Sequence, residues 1–174
     1  MHKTIEPSIL YFGTPVVVVS TLNEDGSTNI APMSSAWWLG WSCMLGLDAT
    51  SKTTENLRRT GECVLNLAAE HNVGAVDRLA LLTGSATLPP HKNALGYRCS
   101  AHKFEEAGVT PMASELVRPE RIREFPVQLE ATVQGIHEFA RDDPRMPIPA
   151  CAVEVTVRRV HVEPGLFDAR HRHR

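Results

Sequence analysis

Residues 29 to 60 carry the side chains with the most chemistry to offer. The second half of this stretch sets Thr50, Ser51, Lys52, Thr53 and Thr54 between an apolar run and a helical pattern. A helix start presents unpaired N–H groups and the positive end of its dipole, and Ser, Thr and Lys add donors and one charge. Such a junction suits a phosphate monoester. Ser and Thr also cap helices without binding anything, and on this feature alone capping is the simpler account. The first half adds weight to a ligand. Pro32-Met33-Ser34-Ser35 leaves a strand and runs toward Trp37, Trp38 and Trp41, all three tryptophans of the chain within five positions. Small hydroxyl residues let a flat ring lie against the backbone and donate to its nitrogens and carbonyl oxygens, while indoles supply wide apolar walls. A planar, phosphate-bearing ligand satisfies both halves. For at least two of the three indoles, a place in the core or at a subunit interface is preferred over ligand contact.

Other chemistries find little support. The chain shows no Ser-His-Asp, Cys-His or paired-carboxylate set and no Gly-x-Gly-x-x-Gly after a strand. Cys43, Cys63, Cys99 and Cys151 form neither a CxxC pair nor a zinc-ligand spacing, and they are read as reduced. Three of them, Cys43, Cys63 and Cys151, sit in apolar runs where a thiol behaves as a small hydrophobe. No metal is expected, because the alternating His171 and His173 of the basic tail lack a third ligand. With 18 Lys and Arg against 20 Asp and Glu, the net charge is −2. That balance gives no broad field for nucleic acid or anionic lipid. No run approaches the roughly 20 apolar residues of a membrane span, and the start lacks the apolar region of a secretion signal. A cytosolic location follows as an expectation, with small molecules and protein subunits as partners.

Strands and short helices must position the stretch. At 174 residues with 43% hydrophobic content, one domain over residues 1 to 168 is expected, followed by a disordered basic tail at 169 to 174. Pro15 to Thr21 reads as a strand covered on both faces, Asn23-Glu24-Asp25-Gly26 as a tight turn, and Ser27 to Met33 as the returning strand. Ser42 to Leu47 and Cys63 to Ala68 read as further strands. Between them a helix runs from about Lys52 to Thr60, capped by Thr50 or Ser51 and ended by Gly61. A second helix is expected over Val73 to Leu82, then a loop over 83 to 100, a length often functional or mobile. Val127 to Glu138 and Ala150 to Val162 form a late hairpin. His137 and His161, on these strands, are read as structural. Six or seven strands in mostly neighbouring antiparallel pairs close into a barrel, which removes unpaired edges.

Several segments carry a family likeness. They are Phe12-Gly13-Thr14-Pro15-Val16-Val17-Val18-Val19-Ser20-Thr21, Asp25-Gly26, Asn29-Ile30-Ala31-Pro32-Met33-Ser34-Ser35 and Ser51-Lys52-Thr53-Thr54-Glu55-Asn56-Leu57. Gly61-Glu62-Cys63-Val64-Leu65-Asn66-Leu67 follows, then His102-Lys103-Phe104 and Ala107-Gly108-Val109-Thr110. In this order the chain resembles the flavin reductase-like, FMN-binding split-barrel proteins over most of residues 9 to 166. The resemblance implies a mainly β fold, an antiparallel Greek-key split β-barrel with short inserted helices, working as a homodimer with FMN in clefts near the interface. It implies that Asn29, Met33, Ser34 and Ser35 line the isoalloxazine ring, that Thr50, Ser51, Lys52 and Thr53 hold the phosphate, and that Asn56 stands behind them. Lys103 and Phe104 match a Lys-Phe pair near the flavin, making Lys103 the cation close to the ring, where it favours the anionic reduced form.

Two departures bear on function. Many relatives carry a histidine between the last long strands, whereas Arg141 to Pro149 has none, so no nicotinamide-contacting role transfers to it. Relatives also commonly continue past the position of Leu166-Phe167-Asp168 into a segment near the flavin. The resemblance implies a flavin reductase in which NADH or NADPH reduces FMN, or FAD in its place, and electrons pass to a monooxygenase or an electron-transfer protein. The alternative is a flavoredoxin-like electron carrier with FMN permanently bound and no nicotinamide site. A barrel that has lost flavin and serves as an interaction module is the third reading.

Overall fold

The computed structural model describes residues 2–7, 10, 12–146 and 148–166. The basic tail at 169–174, together with Phe167 and Asp168, lies outside the described residues. The unbroken valines form β1 (Val17–Leu22), and Val17, Val18 and Val19 are fully buried, as a strand covered on both faces requires. At the following turn Asp25 accepts from the Ser27 amide and hydroxyl, and Gly26 takes a φ of 85° that other residues rarely adopt. The chain returns antiparallel as β2 (Thr28–Met33). Two residues later it enters β3 (Ala36–Leu39), which turns at Gly40-Trp41 into β4 (Ser42–Asp48).

The helix α1 (Lys52–Thr60) has the expected bounds. Ser51 Oγ accepts from the Thr54 amide at 3.1 Å, Gly61 ends the helix in the left-handed region, and Leu57 is buried. Next comes β5 (Glu62–Leu67), central and buried. The second helix, α2 (Val73–Leu79), stops before Leu82 because Leu82 is drawn into another pairing. Leu82 and Thr83 form β6 (Leu82–Thr83), which runs parallel to β7 (Arg98–Cys99) and frames α3 (Pro90–Ala94). The expected loop at 83–100 is thus a short strand-helix-strand excursion. It is followed by α4 (Lys103–Ala107) and a small ribbon of β8 (Pro111–Met112) and β9 (Arg121–Ile122). The late hairpin consists of β10 (Val127–Phe139) and β11 (Ala150–Val162).

Seven strands make one antiparallel sheet in the order β2-β1-β5-β10-β11-β4-β3. Laid flat, seven strands at about 4.8 Å spacing would put β2 roughly 29 Å from β3. Only Ser34 and Ser35 separate these strands along the chain, and so short a link reaches about 11 Å at most. The sheet must therefore curl until its two ends meet at Ser34-Ser35, a barrel closed by covalent continuity of its edges. Alternation splits the core accordingly. Val17, Val19, Leu45, Leu65, Val153 and Val155 fill one cluster, while Val18 and Ile30 face Leu79, Leu82, Ala107 and Phe125 in a second, built with α2 and α4.

Cys43, Cys63 and Cys151 are buried and free, and burial pushes the Cys43 and Cys63 thiols up to about 12. His161 lies 2.7 Å from the carboxylate of fully buried Glu130, which also accepts from the amides of Glu115, Leu116 and Val117. This is a structural network joining β10 and β11 to the preceding loop.

Candidate functional site

The curled sheet leaves a cleft of about 550 Å³ beside the Ser34-Ser35 link. β2 and the link contribute Asn29, Met33, Ser34 and Ser35 to its wall, α1 contributes Ser51, Lys52 and Thr53, and the start of α4 contributes Lys103. Eight of the eleven residues singled out from sequence thus line one cavity. Two glycines let its walls approach. A Cβ on Gly46 would stand 2.9 Å from Ser35 Cβ, and one on Gly84 would stand 2.6 Å from Asn29 Oδ1 and 3.0 Å from Lys52 Cγ.

The other three residues lie elsewhere. Thr50 spends its amide and hydroxyl on Asp48 Oδ1, at 2.8 and 2.7 Å. Asn56 is fully buried and donates to Thr21 Oγ1 and Asn23 Oδ1, tying α1 to the first hairpin. Phe104 packs against the second core cluster, behind the cleft. Among the indoles, Trp38 packs on the main core with its Nε1 buried and lacking an acceptor among the described residues. Trp37 and Trp41 are exposed.

Lys103 is the most unusual cation of the site. It is 4% exposed, and its Nζ donates to Asn29 Oδ1 at 2.9 Å and to the Ile30 carbonyl at 3.0 Å. Neither acceptor is charged, and among the described residues no carboxylate comes within ion-pair distance. Loss of hydration lowers its pKa to about 8. The ammonium lines the cleft, and among the described residues Glu106 acts on it only from beyond ion-pair distance.

The phosphate-type corner is arranged differently. The Ser51 hydroxyl is committed to the cap, accepting from the Thr54 amide and donating to Thr54 Oγ1. Thr53, 5% exposed, makes no side-chain hydrogen bond among the described residues, and the first two amides of α1 are likewise unused. Lys52 Nζ contacts Glu24 and Glu55. Burial works against the Lys52 charge, yet these two carboxylates raise its pKa above the ordinary value.

Sequence reading missed the opposite wall. His91 and Lys92 of α3, with Leu95 and Tyr97, line the cleft, and Lys92 Nζ reaches Asp48 Oδ2 at 3.0 Å, pinning α3 to the end of β4. Burial disfavours the Asp48 carboxylate, but bonds from Thr50 and the Lys92 ammonium hold its pKa below the usual range. The only cue in the sequence was the length of the 83–100 stretch. Among the described residues no three His, Cys, Asp or Glu side chains gather as metal ligands.

The walls thus bring together small hydroxyls and Met33 along one side, a buried ammonium with no carboxylate in ion-pair distance among the described residues, and spare donors at a helix start. Residues 9–173 match the model of the flavin reductase like domain. The chain belongs to that family. It is 44% identical over 134 residues to the uncharacterized protein YdfE of Bacillus subtilis strain 168, a match covering 77% of this chain and 65% of YdfE. This chain therefore spans less than two thirds of that relative's length. Among solved structures, the flavoredoxin of Desulfovibrio vulgaris (Miyazaki F) superposes with a TM-score of 0.75 at 19% identity, over 98% of this chain and 81% of that one. Nitrilotriacetate monooxygenase component B of Bacillus cereus gives 0.70 at 20% identity, over 90% and 73%. At such identities these likenesses establish the fold, the split barrel of flavin reductase-like proteins.

Proposed function

We propose that this chain is a flavin reductase that holds FMN in the cleft and takes reducing equivalents from NADH or NADPH. Asn29, Met33, Ser34 and Ser35 flank the ring. Thr53, the free α1 amides and Lys52 receive the phosphate, with Ser51 fixing the helix start. The observation that carries this reading is Lys103, a buried ammonium whose bonds among the described residues go to neutral oxygens, which suits a ring system that gains negative charge on reduction. The flavin supplies hydride and electron transfer, so the chain need not supply a nucleophile or a general acid. Its residues orient the ring, exclude water and keep one positive charge beside it.

Exposed Trp37, Leu39 and Trp41 form an apolar patch on the β3-β4 hairpin. A second copy of this chain covers that patch in our reading, and the electron acceptor is a separate monooxygenase or electron-transfer protein. Visible spectra of the FMN-loaded protein, recorded anaerobically before and after addition of NADH or NADPH, test the activity. Bleaching of the flavin band by either nucleotide is expected. A band unchanged by both overturns the reductase reading in favour of a flavoredoxin-like carrier.

A further inference from the structure

All three N–H donors of Lys52 are taken. Nζ donates to the two carboxylate oxygens of Glu24 at 3.0 and 2.8 Å and to Glu55 Oε1 at 2.8 Å. Glu55 belongs to the same helix, three residues on. Glu24 arrives from the β1-β2 turn, 28 residues upstream, and that turn is well organised. Besides the Asp25-Ser27 bonds, Asn23 donates to Ser27 Oγ at 3.0 Å and accepts from Asn56 at 2.9 Å. The Glu24 carboxylate is thereby presented to the ammonium by a framed loop that is itself anchored to α1. A bond from Lys52 holds the Glu24 carboxyl at about 2, so the carboxylate is charged throughout the neutral range.

A phosphate can engage Lys52 Nζ only by displacing one of these carboxylates. Glu24 makes two of the three bonds and is half-exposed, and Arg59 Nε lies 3.9 Å from its Oε1, ready to keep it as a partner once displaced. Resting on the flavin reading above, we infer that Glu24 is a built-in competitor for the phosphate of the flavin, lowering the affinity of the cleft for FMN but not for the same ring without a phosphate. The consequence is an exchangeable flavin. The cleft discriminates for FMN through the amides and hydroxyl at the start of α1, while the Lys52 charge is offset in advance.

Flavin-fluorescence titrations of the parent and of Glu24→Gln with FMN and with riboflavin test this inference. Relieving the competition should tighten FMN binding about tenfold, while the riboflavin Kd stays within about twofold. Glu24→Ala, which has no side-chain acceptor left for Lys52, is titrated alongside and should tighten FMN binding at least as much as Glu24→Gln, with riboflavin again unchanged. Far-UV circular dichroism confirms that each variant is folded. FMN affinity that is unchanged or weaker in both variants overturns the inference. Equal tightening of FMN and riboflavin also overturns it, since Glu24 would then act on the ring or the fold and not on the phosphate. If neither flavin binds the parent, the flavin reading falls, and the inference falls with it.

Discussion

Lys103 and Lys52 both line the cleft, and the two are prepared in opposite ways. Lys103 is buried and bonded to an amide oxygen and a backbone carbonyl, with no carboxylate in ion-pair distance among the described residues. Lys52 is nearer the solvent and meets two carboxylates. An ammonium with neutral partners in a desolvated site is costly to maintain and interacts strongly with any anion brought beside it; one already paired at the surface interacts weakly. In the proposed function, charge at the ring end therefore dominates, and the phosphate end contributes mainly through neutral donors.

Lys103→Met tests that contrast most severely. FMN binding should weaken by about 10- to 100-fold, as expected for losing a charged donor. The two-electron potential of bound flavin should also fall by about 30 mV or more, the equivalent of a tenfold loss of preference for the reduced form. Titration and spectroelectrochemistry measure the two. A variant with parental affinity and potential would place the ring elsewhere.

The buried charge also leaves a signature without any ligand. Its pKa falls from 10.5 in the free side chain to about 8 in the fold. Between those values the unfolded chain keeps a proton that the folded one has released, so stability rises with pH across that window. Below pH 8 both states are protonated and the desolvation cost is fully present. At about 1.4 kcal/mol per pH unit, Lys103 contributes a gain of about 3 kcal/mol between pH 8 and 10.5. Urea unfolding at several pH values, compared with Lys103→Met, should show the parent gaining on the variant over this range. A flat difference would mean that the ammonium is hydrated.

Gly84 sits between the two lysine sites, since a methyl there would press on Asn29 Oδ1, the partner of Lys103, and on the Lys52 stem. Gly84→Ala should cost about 1–3 kcal/mol of stability, as overpacking does, and weaken flavin binding several-fold. Denaturant titration and flavin fluorescence report each effect. The smallest change is expected at the neutral donors: Thr53→Val should weaken FMN binding by roughly 1 kcal/mol and leave riboflavin untouched. A larger loss there than at Lys103 would reverse the ranking of the two ends.

Local signals carried much of the architecture. Ser51 and Gly61 bracket α1 because a cap and a left-handed stop act within a few residues, and Asp25-Gly26 places the first turn for the same reason. The strand β3 escaped because Trp37 and Leu39 are apolar yet exposed, so the usual link between hydrophobicity and burial points the wrong way. Asn56 was placed near the phosphate by its helix; its burial against Thr21 and Asn23 is set by how α1 docks on the hairpin.

The sequence by itself determined the first hairpin, β4, α1, β5 and the late hairpin, the family to which the chain belongs, and eight of the residues that gather around Ser34-Ser35. Only the tertiary structure decided how each charge is held. Lys52 meets Glu24 across 28 positions and Lys103 meets Asn29 across 74, while the cover over the cleft depends on Lys92 reaching Asp48. Propensity and capping are read within a turn or two of chain. The energy of an ion depends on its surroundings from every direction, and those exist only once the sheet has curled.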